Sequence, residues 1–239
     1  MCGRFALSIV AARFRLVFDC DPPEDFSASY NITPDVQIVV VRANAAGVPE
    51  AGFARWGLLG AWMKEANDPA RQINARAETA GEKPMFRDSF KKGRCLIPAL
   101  GFYEWQKAGS GPSRPFFVRL ASGEPFAFAG LWRRNRLADG ELIDTCAILT
   151  MPASPLLRPI HHRMPVILPR SSHGLWLDPT LQDPGMVQAL LTPRPDSELE
   201  LHEVGRAVNN PRNNGAELMA PVPAGPPAQQ RPPAQGSLL

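Results

Sequence analysis

Cys2 is the residue of this chain whose position offers the most distinctive chemistry. Aminopeptidases readily remove a methionine that precedes a small residue, and Cys2 would then become the amino terminus. A terminal cysteine carries a thiol and an amine two carbons apart, with unperturbed pKa values of about 8.5 and about 8. Such an aminothiol condenses with an aldehyde, because the amine forms a Schiff base and the thiol then closes a thiazolidine ring. Judged on residues 1–5 alone, a chance cysteine at position two is the simpler interpretation.

Three further segments place polar side chains among apolar neighbours. Asn74 and Arg76 stand at the start of a predicted helix, where Asn74 could be a helix cap and Arg76 could pair with Glu78. Glu104 lies on a predicted strand between aromatic residues, where a carboxyl group would have a raised pKa and serve as an acid, or could simply face solvent. His161 precedes another strand and could act as an acid or a base, although a surface position is the commoner fate of a lone histidine.

Composition limits the class of protein. The 239 residues are 44% hydrophobic, which is enough for one large core and favours a single domain. No run of about 18 apolar residues predicts a transmembrane helix, and Arg4 and Arg13 interrupt any signal peptide. We therefore expect a soluble cytoplasmic monomer with no membrane partner. The net charge of +3 is compatible with a polyanionic partner but is too small to predict one.

The cysteines argue against a metal centre. They stand at positions 2, 20, 95 and 146, so no C-x-x-C motif is present and neither a zinc site nor a redox dithiol is predicted. We expect no metal and no other cofactor. Cys95 and Cys146 lie in the apolar segments 94–100 and 142–150 and are predicted to be buried, which leaves Cys2 as the thiol within reach of a substrate.

Apolar patterning predicts an α+β fold with mainly antiparallel strands, an open barrel-like core and peripheral helices. Strands are predicted over residues 36–42, 52–57, 94–100, 101–106, 115–120, 126–132, 142–150 and 199–204. Helices are predicted over residues 8–18, 78–92, 171–177 and 185–191. The domain should span residues 1–220, because residues 221–239 contain six prolines and no acidic residue and are predicted to be a disordered tail.

The order and wording of several motifs resemble the SOS response-associated peptidase (SRAP) family of abasic-site processing proteins. The motifs, spread over residues 1 to about 220, are MCGRF, YN with a following TP, WGL with a following W, NARAET, GFYEW, IHHRMP and GRAVNNPRNNGAEL. One position departs from the pattern. The family commonly has a proline between WGL and the next tryptophan, and Gly60 stands there in this chain, which leaves the shape of that loop open.

The resemblance implies a reaction at abasic sites in single-stranded DNA. Cys2 would form a thiazolidine with the ring-opened aldehyde of the abasic sugar. Asn74 would lie beside the cysteine and orient the sugar or the terminal group. Glu104 would be the acid/base near the amine, and His161 would act on the sugar hydroxyl. An accompanying autopeptidase that removes Met1, and a lyase activity, are compatible with this chemistry.

Cationic and aromatic side chains would hold the DNA strand. The resemblance places Arg76 on a phosphate. Further candidates for DNA contacts are Arg4, Arg163, Arg206, Trp62 and Phe102.

Two other classes of function stay open at this stage. An N-terminal nucleophile hydrolase would use the same terminal amine as base and attack an amide with the Cys2 thiol. A structural or partner-binding protein would leave the polar segments incidental. A covalent adduct with abasic DNA distinguishes the first interpretation from both.

Overall fold

A computed structural model describes residues 2–109 and 111–223 of the chain. Within those ranges the backbone forms thirteen strands, five α-helices and four 3₁₀ helices. The strands are β1 (Phe5–Leu7), β2 (Ser29–Ile32), β3 (Gln37–Ala43), β4 (Pro49–Trp56), β5 (Asn74–Arg76), β6 (Arg94–Ala99), β7 (Gly101–Ala108), β8 (Gly111–Leu120), β9 (Phe126–Arg136), β10 (Leu142–Pro152), β11 (Arg163–Pro165), β12 (Ile167–Leu168) and β13 (Leu199–Glu203). The α-helices are α1 (Ala11–Phe18), α2 (Ala77–Ala80), α3 (Arg87–Lys92), α4 (His173–Leu177) and α5 (Pro184–Ala189). The 3₁₀ helices are Arg170–Ser172, Asp196–Glu198, Arg206–Asn209 and Ala216–Met219.

Five strands close into a barrel that forms the centre of the fold. β4 pairs with β3, β3 with β6, β6 with β9 and β9 with β10, all antiparallel, and a short parallel pairing of β10 with β4 completes the ring. Val40, Leu96, Phe128 and Ile148 on these strands are fully buried, and burying each such side chain contributes about 1.5–3 kcal/mol. The predicted α+β class with a mainly antiparallel, barrel-like core is confirmed, and the ring is closed rather than open.

A second sheet lies against the barrel and carries the start of the chain. Its strand order is β13-β8-β7-β1-β2. The Phe5 ring joins the two sheets, because it packs edge-on against Trp56 at 5.2 Å and against Phe128 at 5.7 Å. Gly101 begins β7 opposite Ala6, and a Cβ at position 101 would lie 2.2 Å from the Phe117 ring. Only glycine therefore lets β7 pass this close to β8.

The helix predictions are correct in place but not in length. The predicted helix over residues 78–92 is two short helices, α2 and α3, with the turn that contains Pro84 between them. The helix predicted from residue 8 begins at Ala11, and the pieces predicted near 171–177 and 185–191 correspond to α4 and α5. Strands β1, β2 and β5 were not predicted, because three or four residues are too few to show a period.

The long segment that follows β4 is fixed at its base. Leu58 and Gln72 exchange two backbone hydrogen bonds of 2.9 and 3.0 Å. Arg71 donates to both carboxylate oxygens of Asp35, at 2.6 and 2.7 Å. The segment between these contacts carries Trp62, whose side chain is 58% exposed. The irregular stretch predicted here is thus an anchored loop with an aromatic side chain at its surface.

The described chain continues past the predicted domain boundary by a few residues. The Val222 N–H donates to the Glu203 carbonyl at 2.9 Å, and Pro221 bridges to Val204. The remainder of the predicted tail, residues 224–239, lies outside the described residues. In the part of the chain that the structure describes, no helix is long and apolar enough to cross a membrane.

Candidate functional site

Asn74 is held on β5 and contacts the beginning of the chain. β5 pairs in parallel with β10, with Asn74 opposite Ile148. The Asn74 Nδ2 group donates to the Cys2 carbonyl oxygen at 2.9 Å. The predicted alternative, a helix cap, is wrong, because the residue at the cap position of α2 is Arg76 and it makes no side-chain capping bond. Asn74 instead fixes the position of Cys2.

The Cys2 side chain is fully buried, which corrects the expectation of a thiol within easy reach. Burial raises the pKa of the Cys2 thiol well above its usual value, and the negative charge of Glu104 raises it further. The thiol is therefore protonated at neutral pH and needs a base before it can attack. Cys95 and Cys146 are fully buried, as predicted.

Glu104 reaches Cys2 through the pairing of β1 with β7. Phe5 lies opposite Phe102, and the Tyr103 N–H donates to the Arg4 carbonyl at 2.9 Å, so the register carries Glu104 to the first residues of the chain. Only 4% of Glu104 is exposed, so the solvent-facing alternative is wrong. Burial raises the pKa of Glu104 from 4.5 to about 7, against the opposing effect of the positive amino terminus.

His161 lies on the loop that leads into β11. His161 Nδ1 lies 3.0 Å from the Arg163 carbonyl oxygen, and the tautomer that donates Nδ1–H to this carbonyl leaves Nε2 as an acceptor. The His161 ring stacks on that of His162 with centroids 4.4 Å apart. Gln106 of β7 donates to the Pro159 carbonyl at 3.1 Å, which ties this loop to the strand that carries Glu104. Burial, followed by weaker effects that include the amino-terminal charge, lowers the pKa of His161, so the ring is neutral at pH 7.

The four predicted catalytic residues thus come from separate parts of the fold to one region. Asn74 touches Cys2 directly, Glu104 interacts electrostatically with the Cys2 thiol, and the amino-terminal charge acts on both Glu104 and His161. The arrangement combines a buried thiol, a carboxyl group that titrates near neutrality and a neutral imidazole. Within the described ranges, no three His, Cys, Asp or Glu side chains are grouped so as to hold a metal ion.

The two arginines predicted beside the site differ in exposure and in their hydrogen bonds. Arg163 donates to both carboxylate oxygens of Glu78, at 2.5 and 2.9 Å, and to the Thr150 carbonyl at 2.5 Å. Hydrogen bonding from Arg163 lowers the pKa of Glu78. Arg76 is exposed, and among the described residues it makes no ion pair. The ion pair predicted as an alternative between Arg76 and Glu78 is not formed, because Arg163 pairs with that carboxylate, although the charge of Arg76 also lowers the pKa of Glu78.

Arg4 takes part in an internal network. Its Nη1 group donates to Asn31 Oδ1 at 2.7 Å and to the Val208 carbonyl at 2.8 Å, and the guanidinium lies 5.7 Å from the Trp105 ring centroid. Burial lowers the pKa of Arg4. Arg206 is exposed at the start of its 3₁₀ helix.

The two predicted stacking residues have opposite environments. Phe102 is fully buried and packs edge-on against Phe128 with centroids 6.0 Å apart, so its predicted stacking on DNA is wrong. Trp62 is exposed and lines a cavity of about 630 Å³ that Asn74 and Arg76 also line. Lys83 lines the same cavity, and sequence reasoning missed it because nothing distinguishes it from other surface lysines.

Comparison with known proteins identifies the family of the chain. The family model for SOS response associated peptidase (SRAP) matches residues 1–211. The chain belongs to the SRAP family. It is 38% identical to abasic site processing protein YoqW of Bacillus subtilis (strain 168) over 222 residues, which cover 92% of this chain and 99% of YoqW. The family resemblance drawn from the motifs is therefore confirmed.

Two further comparisons extend the match. The SRAP-family chain is 30% identical to abasic site processing protein YedK of Escherichia coli (strain K12) over 233 residues, which cover 93% of this chain and all of YedK. A crystal structure of a protein from Bacteroides thetaiotaomicron superposes with a TM-score of 0.82 at 22% identity, covering 92% of this chain and all of that one. This structural likeness shows that the two chains share the same fold.

Proposed function

We propose that this SRAP-family protein processes abasic sites in single-stranded DNA by forming a covalent thiazolidine cross-link through Cys2. The observation that carries the proposal is Glu104, a buried carboxyl with a pKa of about 7 that acts on the Cys2 thiol. A group of this kind can donate and accept protons at neutral pH. The names of YoqW and YedK supply the substrate class.

The reaction begins on the sugar. An abasic deoxyribose exists mainly as a closed ring, and its C1′ hydroxyl must lose a proton while the ring oxygen gains one before the aldehyde appears. His161 is neutral at pH 7 because burial lowers its pKa, so its Nε2 can take the hydroxyl proton and return it to the ring oxygen as the bond from C1′ to that oxygen breaks. The open sugar then presents its aldehyde to the amine of Cys2.

Condensation follows in two stages. The neutral amine adds to the aldehyde carbon, and Glu104 in its acid form protonates the hydroxyl, which leaves as water and yields a Schiff base. The Glu104 carboxylate then accepts the thiol proton, the Cys2 sulfur adds to the same carbon, and the π electron pair of the C=N bond moves to nitrogen. One water is released overall, and the closed ring has no exposed imine to hydrolyse.

Asn74 orients the attacking group. Its Nδ2 donor is engaged by the Cys2 carbonyl, while its Oδ1 acceptor is buried and has no hydrogen-bond partner within the described residues. A buried acceptor without a partner is costly and calls for an explanation. The amine of a Cys2 that has become the amino terminus would satisfy it and be held in position.

The DNA strand is held by phosphate contacts and stacking in this proposal. Arg76 is exposed beside the site and serves as the principal phosphate contact, and Trp62 offers an exposed indole for a base. Arg163 contributes mainly by fixing Glu78 and the strand ends. Arg206 is exposed and extends the cationic surface, whereas Arg4 is bonded to Asn31 and Val208 and supports the segment that carries Arg206.

Exposure of the Cys2 amine requires loss of Met1. The Cys2 sulfur can attack the carbonyl carbon of the Met1–Cys2 peptide bond, which forms a thioester and frees the amine, and water then hydrolyses the thioester to release methionine. The description of the family as a peptidase favours this self-processing. A hydrolase acting on other amides is the alternative that uses the same residues.

The deciding experiment incubates the protein with single-stranded DNA that carries one abasic site. We expect an adduct that survives heat and denaturant, with the mass of the protein without Met1 plus the DNA minus one water. Cys2→Ser should lose this adduct, whereas Cys20→Ser, a change to a half-buried cysteine outside the site, should retain it. Absence of an adduct together with turnover of a peptide or amide would favour the hydrolase. An active protein that retains Met1 would exclude the aminothiol mechanism.

A further inference from the structure

His161 is carried by a compact turn, residues 153–162, that joins β10 to β11. The turn is closed at its base, where the Ala153 N–H donates to the His162 carbonyl at 3.0 Å. Glu104, in contrast, lies on β7 of the other sheet. The proposed chemistry needs the imidazole and the carboxyl group at one sugar, so their separation depends on contacts between the turn and β7.

Gln106 makes such a contact. Its Nε2 group donates to the Pro159 carbonyl oxygen at 3.1 Å, two residues before His161. Glu104 and Gln106 are two positions apart on β7, so their side chains lie on the same face of the strand. One strand therefore directs a carboxyl group towards Cys2 and, one step further along, holds the turn that carries the imidazole.

The Gln106 amide is itself oriented by the neighbouring strand. Arg114 lies opposite Gln106 in the pairing of β7 with β8, and its Nη1 group donates to Gln106 Oε1 at 3.4 Å. Glu203 of β13 holds Arg114 in turn, because it accepts from Arg114 Nε at 3.0 Å and from Nη2. A donor on Oε1 leaves Nε2 to face the Pro159 carbonyl, since exchanging the two ends of the amide would lose both bonds.

A second side chain anchors the turn from a different element. Asp196 Oδ2 accepts from the Leu156 N–H at 3.0 Å. Both anchors fix the turn, but of the two only Gln106 belongs to the strand that carries Glu104. The bond from Gln106 is therefore the one that sets the imidazole relative to the carboxyl group.

We propose that Gln106 is a positioning residue for the abasic-site reaction, which holds His161 in register with Glu104 through its bond to the Pro159 carbonyl. This inference rests on the proposed function for the role of His161. It adds a residue that controls the ring-opening step through His161 rather than by acting on the sugar itself. Because a misplacement of about 1 Å can lower a rate by about 10²-fold, one partly exposed hydrogen bond can matter more for the rate than for stability.

The test measures single-turnover adduct formation at saturating single-stranded DNA on two substrates. One carries the natural abasic deoxyribose, and the other carries an acyclic abasic analogue whose aldehyde is already open. Gln106→Ala should slow the first reaction by about tenfold and leave the second, the DNA affinity and the melting temperature close to wild type. Gln106→Glu keeps the shape but turns an acceptor towards the Pro159 carbonyl, so it should have the same effect.

Two further variants show whether Gln106 acts through His161. His161→Ala should slow the natural substrate at least as much as Gln106→Ala does. The double variant should be no slower than His161→Ala alone, because the effects of residues that act as a unit are not additive. Gln182→Ala is the matched control and should react as fast as wild type, since Gln182 Nε2 also donates to a proline carbonyl, that of Pro179 at 3.1 Å, outside the site.

The titration of His161, followed by NMR, is a readout that needs no adduct. The chain has four histidines, so His161→Ala assigns the signal. Burial lowers the pKa of His161, and the charges of the amino terminus, Lys107 and Arg163 lower it further, with the His162 ring stacked alongside. Gln106→Ala leaves these groups in place but releases the turn towards solvent, so the His161 pKa should move up towards its ordinary value of 6.5.

The inference would be overturned by a wild-type rate of Gln106→Ala on the natural substrate, by equal slowing on both substrates, by additive effects in the double variant, or by an unchanged pKa of His161 in Gln106→Ala. A slow His161→Ala beside a fast Gln106→Ala would refute the assignment of Gln106 alone. Absence of any adduct with the wild-type protein, or a His161→Ala variant that reacts as fast as wild type, would refute the proposed function and the role of Gln106 with it.

Discussion

Asn74 Nδ2 donates a hydrogen bond to the Cys2 carbonyl oxygen at 2.9 Å, although the two residues are 72 positions apart. The bond links β5, which lies on the barrel strand β10, to the start of the chain, which lies on the second sheet. The other atom of the same amide, Oδ1, is buried without a partner in the described part of the chain. One side chain therefore fixes Cys2 and carries a buried acceptor, which the proposed function pairs with the Cys2 amine.

This relationship predicts different effects for two substitutions. Asn74→Asp has nearly the same shape but replaces the donor with an acceptor, which repels the Cys2 carbonyl. Asn74→Ala removes both groups. Both variants should form the adduct at least about tenfold more slowly at saturating DNA, and Asn74→Ala should lose about 1 kcal/mol of unfolding free energy, as expected for one hydrogen bond. Single-turnover rates and urea unfolding measure the two effects. Unchanged rates in both variants would contradict the positioning role.

Glu104 should set the pH dependence of the reaction. With a pKa of about 7, it is half protonated at neutrality and can serve in both stages of the condensation. Glu104→Gln should slow adduct formation by about 10²-fold or more and remove the inflection near pH 7 from the rate profile. Rates measured from pH 5 to 9 test this. An inflection that persists in the variant would assign the titration to another group.

The same pKa shift predicts that Glu104 destabilises the folded protein. Its pKa is about 7 when folded and near the ordinary 4.5 when unfolded, so the folded state binds more protons between these values. Stability is then highest below pH 4.5 and falls as the pH rises to 7. At pH 7.5 the free energy of unfolding of Glu104→Gln should therefore exceed that of the wild type by on the order of 1–3 kcal/mol. Urea unfolding measures this difference. A variant less stable than the wild type at that pH would contradict the prediction, because it would show that neighbouring groups offset the cost of burying the charged carboxylate.

The period-two alternation of β7 was sufficient to predict the burial of Glu104. Phe102 and Glu104 are two positions apart on β7, so their side chains lie on the same face. If Phe102 packs in the core, Glu104 must be buried as well, and the structure shows both outcomes. Since Tyr103 is buried too, β7 is covered on both faces, and alternation alone could not show this.

The contacts between distant residues could not be predicted from the sequence, because they depend on how the strands pair. The barrel strands were predictable because their apolar runs are long, as in β9 and β10. The meeting of Asn74 with Cys2 was not, since β5 has three residues and pairs with a strand far along the chain. The ion-pair partner of Glu78 could not be predicted from the sequence either, because Arg163 is brought to it by the pairing of β10 with β11. The motifs identified the residues, and only the topology showed their contacts.

Phe102 and Trp62 should respond to substitution in opposite ways. Phe102→Ala empties a fully buried site and should cost about 3–5 kcal/mol of unfolding free energy. The milder Phe102→Leu should fold and bind abasic DNA with nearly wild-type affinity. Trp62→Ala should leave the melting temperature unchanged and weaken DNA binding. Melting curves and binding isotherms on the same preparations test this, and a DNA-specific defect in a stable Phe102→Leu protein would restore the stacking role to Phe102.

Substitutions of Arg76 and Arg163 should also have different effects, one on DNA binding and the other on stability. Arg76 is exposed, so Arg76→Ala should lower the slope of log K against log salt by about 0.7 while stability stays the same. The Arg163 side chain is 10% exposed and bonded to Glu78 and Thr150, so Arg163→Ala should lower stability. Glu78→Gln tests whether loss of the ion pair alone accounts for that decrease. An unchanged salt slope in Arg76→Ala would remove Arg76 from the phosphate contacts.

His173 predicts a loss of stability in acid that opposes the effect of Glu104. The ring is 5% exposed on α4 and stacks on Phe18 with centroids 6.2 Å apart, and burial lowers the pKa of His173 from 6.5 to about 4. Between these pH values the unfolded chain binds a proton on His173 that the folded chain does not bind. The contribution of His173 to the free energy of unfolding is therefore complete above pH 6.5 and is lost as the pH falls towards 4. The size of the effect is up to about 3 kcal/mol.

Because Glu104 favours folding over part of the same pH range, the wild-type stability profile is the sum of two opposing slopes, and single substitutions are needed to resolve them. Urea unfolding from pH 4 to 7.5 should show that His173→Gln flattens the acid loss, whereas Glu104→Gln steepens it. Parallel profiles for wild type and His173→Gln would mean that the buried imidazole accepts its proton without cost to the fold.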